Sequence, residues 1–182
     1  MSSLRSYKEI APSLGSDVYI DDSAVIVGDV SIGKDSSVWP QVAARGDVNH
    51  ISIGERTNIQ DGSVLHVTHK NVINPNGFPL VIGNEVTIGH LVMLHGCTIK
   101  DRVLVGMSST ILDGAIIESD VYIGAGSLVP PGKVLESGFL YLGSPVKKAR
   151  PLTDKEHAFL KTSADNYVNN KNDYINHVKS IN

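Results

Sequence analysis

Three of the seven histidines in this 182-residue chain, His66, His90 and His95, are close together in the sequence. Neutral imidazole is a common metal ligand. Three such rings hold an ion like Zn2+ and leave one of its four positions for an exchangeable water. That is the pattern of a catalytic rather than a structural zinc. The polar residues Arg45, Gln60 and Asp61 accompany them. Whether the rings converge on one ion depends on the elements that carry them.

Those elements are set by a period of six. Leu14, Ile20, Ile26, Ile32, Val38 and Ala44 begin a series that resumes at Ile53, Ile59 and Leu65. It continues at Ile82, Ile88 and Leu94, then runs from Ile99 through Val105, Ile111, Ile117 and Ile123 to Val129. Four residues after each start the side chain is usually small or β-branched. Directly after the start Gly recurs, as at Gly33, Gly54, Gly89 and Gly106. A six-residue unit reads as a short strand plus a corner, and three units make a triangular coil stacked on the next at about 4.8 Å. The aliphatic points inward, the small residue fills the corner, and Gly is expected to permit the turn. A sandwich of short strands would not keep so strict a register.

Counted in threes, Ala44, Leu65 and Leu94 share one face of successive coils. The outward residues beside them are Arg45, His66 and His95, where Gly is the usual occupant. On the preceding face Gln60 and Asp61 lie under Gly89 and His90. His66 and His95 are then one coil apart, within reach of a single ion. His90 sits a corner away and aims elsewhere, so it reaches the ion of a neighbouring copy. A cyclic trimer built this way carries three equal sites at its interfaces.

The register breaks at 50–52 and at roughly 68–81. The second break holds Asn74-Pro75-Asn76-Gly77 and reads as a projecting loop. The β-helix is expected over 1–150. A helix within 151–182 is expected to follow, opened by the capping box Thr153-x-x-Glu156 and broken near Asn169–Asn172. Its apolar residues, Leu152, Phe159, Leu160, Ala164, Tyr167, Val168, Ile175 and Val178, would pack on the prism.

Composition narrows the classes further. Charged residues make up 19% of the chain and the formal net charge is −3, which argues against nucleic-acid or polybasic membrane binding. One cysteine, Cys97, excludes a disulfide framework, and it reads as a small buried filler. The first ten residues lack the apolar core of a secretory signal, and no apolar run approaches the roughly 20 residues of a membrane span. A cytoplasmic protein is expected. His50, His157 and His177 read as solvated.

The motifs Arg45-Gly46-Asp47, Asn58-x-Gln60-Asp61-x4-His66 and Gly89-His90-x4-His95-Gly96 resemble those of the γ-class carbonic anhydrases, especially the short bacterial branch, along nearly the whole chain. The resemblance implies a mainly β fold, a left-handed parallel β-helix of hexapeptide repeats with a C-terminal α-helix. It implies a homotrimer with Zn2+ (Fe2+ or Co2+ in its place) between subunits on His66, His90 and His95, hydrating CO2 to bicarbonate. Gln60 would bond the reacting oxygen, and Asn58 would line the pocket. Arg45, Asp47 and Asp61 would form an interfacial ion-pair network, and Tyr167 would reach over the metal. Val48 and His69 stand where strongly active members carry glutamates, so His69 becomes the candidate proton shuttle. Three other functions fit the same repeat: a hexapeptide acyltransferase, a metal-dependent CoA thioesterase, and a non-catalytic metal-binding subunit.

Overall fold

The computed structural model describes residues 3–179. Met1 and Ser2 of the expected β-helix, and 180–182 of the expected helical segment, lie outside the described residues.

The period of six becomes a three-sided left-handed β-helix of hexapeptide repeats. On one face Ile32, Ile53, Ile82, Ile99, Ile117 and Leu135 follow one another in parallel register. On the second the column is Ile20, Val38, Ile59, Ile88, Val105, Ile123 and Tyr141. On the third it is Ile26, Ala44, Leu65, Leu94, Ile111 and Val129. These columns form the core, and apart from Ile20 every residue in them is buried. Leu14, at the open first coil, is 41% exposed, because no complete coil lies beneath it.

The glycines after the strand starts act differently from expectation. Positive φ falls two residues later, at Asp35, Arg56, Leu91 and Ser108, where the chain turns each corner. Gly33 and Gly106 are required by stacking instead. A Cβ on Gly33 would lie 2.6 Å from the Gly54 carbonyl carbon, and one on Gly106 would lie 2.4 Å from the Ala125 nitrogen.

The first register break is a bulge that begins three residues earlier than expected. Strand Ala43–Ile53 pairs Gly46 with Gly28 and then Ile51 with Val30, so the four residues Asp47–His50 stand against Asp29 alone. The bulge bends the strand and re-aims Asp47. The second break is a loop closed at its base by Thr68 and Phe78, which exchange backbone hydrogen bonds of 2.9 and 3.1 Å.

The chain then adds an antiparallel pair, Phe139–Leu142 with Lys147–Pro151, and enters helix α1, Asp154–His177. The helix is unbroken across 169–172. Lys171 is fully buried there and reaches Asp35 at 3.0 Å, a tertiary tie that outweighs the weak helix propensity of the asparagines. α1 lies on the second face. Leu160 packs with Leu104 and Leu152. Trp39 is buried beneath it with Tyr19, Tyr167 and Tyr174 around it at ring distances of 4.9–5.5 Å. Phe159, Ile175 and Val178 stay exposed, against expectation, because they lie off the packed stripe. No helix among the described residues is long and apolar enough to cross a membrane.

The capping box forms as expected. The Arg150 guanidinium, at 2.7 and 2.8 Å, and the Thr153 backbone N–H, at 2.9 Å, hold the Glu156 carboxyl down at about 2. A depressed carboxyl stabilises the fold above its unfolded range and loses that contribution as pH falls toward 2. Thr153→Ala should cost about 1 kcal/mol, read as a lower thermal midpoint by circular dichroism.

Candidate metal centre

The register places His66 beside His95 on the third face. His66 Nδ1 and His95 Nε2 face each other at 3.1 Å. Two nitrogens on one tetrahedral zinc, at bonds of about 2.0–2.1 Å, stand roughly 3.3–3.4 Å apart. Each ring has its other nitrogen on a carboxylate. His66 Nε2 is 3.2 Å from Asp47 Oδ1, and His95 Nδ1 is 2.6 Å from Asp113 Oδ1.

These bonds decide what the pair is suited to hold. If both outer nitrogens carry the hydrogens donated to carboxylates, both inner nitrogens present lone pairs to one another. Bare lone pairs at 3.1 Å repel, so the arrangement is satisfied only by a cation between them, a proton or a metal ion. Burial, reinforced by the Arg45 charge and by His95, holds the His66 imidazole below its ordinary pKa despite the Asp47 bond. That favours the neutral, metal-binding form. Burial raises the Asp47 carboxyl, but hydrogen bonds from Arg45 and His66 outweigh it and hold the group low. The donor set therefore fits a zinc-like ion, with this pair supplying two of its ligands. Among the described residues no group of three His, Cys, Asp or Glu within one chain forms a cluster able to hold a metal.

His90 is at the next corner, where its Nδ1 is 2.9 Å from Asp61 Oδ2 and its ring is 44% exposed. It does not join His66 and His95 within the chain, as the register requires. Asp61 therefore holds His90, while Arg45 pairs with Asp47. Within one chain these are two separate contacts, and the expected network of Arg45, Asp47 and Asp61 would have to form across the subunit interface.

Gln60 is buried at the head of a polar relay into the helix. Its Nε2 donates to Asn58 Oδ1 at 3.0 Å, Asn58 Nδ2 donates to Thr87 Oγ1 at 3.0 Å, and Thr87 Oγ1 meets Ser163 Oγ of α1 at 2.8 Å. Asn58 fixes the amide sense, so among the described residues the Gln60 carbonyl oxygen has no hydrogen-bond donor.

Residues 96–131 match the family described as bacterial transferase hexapeptide (six repeats). Over 172 residues the chain is 62% identical to protein YrdA of Escherichia coli, covering 94% of each. It is 45% identical over 159 residues to gamma carbonic anhydrase 2 of Arabidopsis thaliana, covering 87% of this chain and 57% of that one. It is 44% identical over 162 residues to a carbonic anhydrase of Geobacillus kaustophilus, covering 89% and 85%. The chain belongs to the γ-class carbonic anhydrase family. A solved structure of a hexapeptide transferase family protein from Anaplasma phagocytophilum superposes with a TM-score of 0.88 at 41% identity, covering 95% of this chain and 98% of that one. The carbonic anhydrase relatives and the transferase-named neighbour thus share one scaffold.

For a γ-class carbonic anhydrase chain, the remaining expected residues are placed as follows. Tyr167 is partly buried edge-on to Trp39, and burial followed by the Asp61 charge raises its phenol pKa. His69 is exposed at the start of the loop, apart from the hydrogen bonds that join His66 and His95 to their carboxylates. Cys97 is buried, and burial with the nearby Asp113 charge pushes its thiol up to about 12. A cleft of about 330 Å3 opens beside Asp47, lined by Tyr7, Lys8, Asn49, His50 and Lys70. Sequence reasoning missed Asp113, Thr68, Thr87 and Ser163. The register sets Leu94 against Ile111, so Asp113 falls opposite Gly96, one residue past the position beside His95.

Proposed function

We propose that the protein is a zinc enzyme of the reversible hydration of CO2 to bicarbonate, acting as a homotrimer. His66 and His95 of one subunit and His90 of its neighbour hold each ion, with Fe2+ or Co2+ able to take its place. The observation that carries this reading is the pair of inward-facing nitrogens at 3.1 Å, each backed by a carboxylate. When bound, the ion supplies Lewis acidity and a water acidified into the neutral range. Gln60 offers its carbonyl oxygen as an acceptor for the proton of the reacting oxygen, and Asn58 keeps it turned that way. Arg45 neutralises Asp47, which orients His66. His69, exposed on the loop, passes the released proton to buffer, and Tyr167, edge-on to Trp39, is the helix residue that reaches over the metal.

A second reading has its own observation. A slot of about 240 Å3 runs from Gln60, Thr87 and Ser163 between apolar walls of Leu104, Met107 and Phe159. That is more room than CO2 needs, and it favours a thioester substrate for the same ion or for an acyltransferase. Stopped-flow CO2 hydration by protein of measured zinc content, beside acyl-CoA hydrolysis and transfer, separates the readings. The expected result is hydration in proportion to zinc. Gln60→Ala should lower kcat/KM by roughly tenfold or more at unchanged zinc. Thioester turnover without CO2 hydration would replace the first reading by the second, and zinc without either activity would leave a metal-binding subunit.

A further inference from the structure

We propose that Asp113, clamped by Thr68, positions His95 for the shared ion, so that the base of the projecting loop is part of the metal site. This rests on the metalloenzyme reading above. Both oxygens of Asp113 are committed. Oδ1 is 2.6 Å from His95 Nδ1, and Oδ2 accepts from Thr68 Oγ1 at 2.7 Å. Thr68 is itself fixed, because it exchanges two backbone hydrogen bonds with Phe78 across the loop base.

The surroundings are shaped to this pair. Gly96 follows His95 with φ +53, and a Cβ there would lie 2.5 Å from Asp113 Oδ1 and 2.6 Å from Phe78 Cβ. At Gly114 a Cβ would lie 3.0 Å from the Phe78 ring. Glycine at both places leaves room for the carboxylate and lets Phe78 close over it.

The two ligand–carboxylate pairs in the chain are unlike. Asp47 divides its charge between His66 and Arg45, whereas among the described ion pairs Asp113 meets only His95. A carboxylate without a competing cation fixes the Nδ1–H form of the imidazole, leaves Nε2 for the ion, and makes the ring a stronger donor. Asp113 is a positioning residue, since it acts through His95.

The test is zinc affinity of the intact protein by chelator competition, with 15N NMR of the metal-free histidines. Asp113→Ala should weaken zinc binding 10–100-fold. Asp113→Asn should lose less, because its amide oxygen still accepts from Nδ1. Thr68→Val should weaken binding by a smaller factor and add nothing in the Asp113→Ala background, since the two act as one unit. In the unmodified metal-free protein His95 should carry its hydrogen on Nδ1. Zinc affinity within twofold of wild type in Asp113→Ala would overturn the inference and leave the shared site standing, as would a His95 that carries its hydrogen on Nε2 and none on Nδ1. An unmodified protein that takes up no zinc would remove the metalloenzyme reading and this inference with it.

Discussion

Replacing His90 with alanine is expected to empty the metal site while leaving each chain folded. His90 takes no part in the interior, and its ring is 44% exposed beside Asp61. Surface substitutions of that kind usually change stability by no more than about 0.5 kcal/mol. Yet the proposed ion loses one of three protein ligands. The affinity loss should exceed the roughly 10–100-fold typical of an outer-shell partner. Zinc measured by atomic absorption should fall to background in His90→Ala and stay at the wild-type level in His157→Ala, whose histidine is exposed on the helix. The trimer should loosen as well, because the ion bridges its subunits. Full zinc in His90→Ala would show that the ion is held without this residue.

The second large effect concerns the helix. Lys171 is completely buried, and its ammonium meets Asp35 at 3.0 Å and the Asn172 side-chain oxygen at 2.7 Å. Removing one member of a buried pair strands the other's charge and costs about 3–5 kcal/mol. Asp35 is still 23% exposed, so Asp35→Asn should fall near about 3 kcal/mol. Asparagine also tolerates the positive φ of 58 at that corner, which keeps backbone strain out of the comparison. Lys171→Met removes the fully buried charge and leaves Asp35, which is 23% exposed and can reach water, so it should cost clearly less than Asp35→Asn. Urea unfolding of both variants checks the asymmetry. Equal losses would mean that the pair acts through packing rather than charge. Because α1 carries Ser163 at the end of the Gln60 relay, loosening the helix should also blur the orientation of Gln60.

The prism was legible in the sequence because each inward position must be aliphatic in a core one side chain wide. Ala44, Leu65 and Leu94 therefore stack as the period of six predicts. The separation of His90 from His66 and His95 followed from the same register. What escaped was whatever the register does not encode. The bulge at Asp47–His50 was placed slightly late, because its extra residues alternate in polarity like the strand around them. The asparagine-rich stretch of α1 looked like a break, since propensity alone cannot foresee a buried ion pair between Lys171 and Asp35. Glycine after the strand start was assigned to turning, but the coil above needs the space, as at Gly33. Asp113 was not legible because the coil holding it is one residue short, which sets Leu112 rather than Asp113 against His95, and only the folded corner brings the carboxylate to the ring.

The most direct measurement mixes two inactive subunits. His90→Ala chains keep His66 and His95, and His95→Ala chains keep His90. Unfolded together and refolded, they form mixed trimers with one interface that brings an intact pair to an intact His90. Each mixed trimer should bind one zinc ion and recover CO2 hydration in proportion, while neither variant alone binds any. Mixed trimers that stay free of zinc, although the wild-type protein loads it, would contradict a site built by two chains.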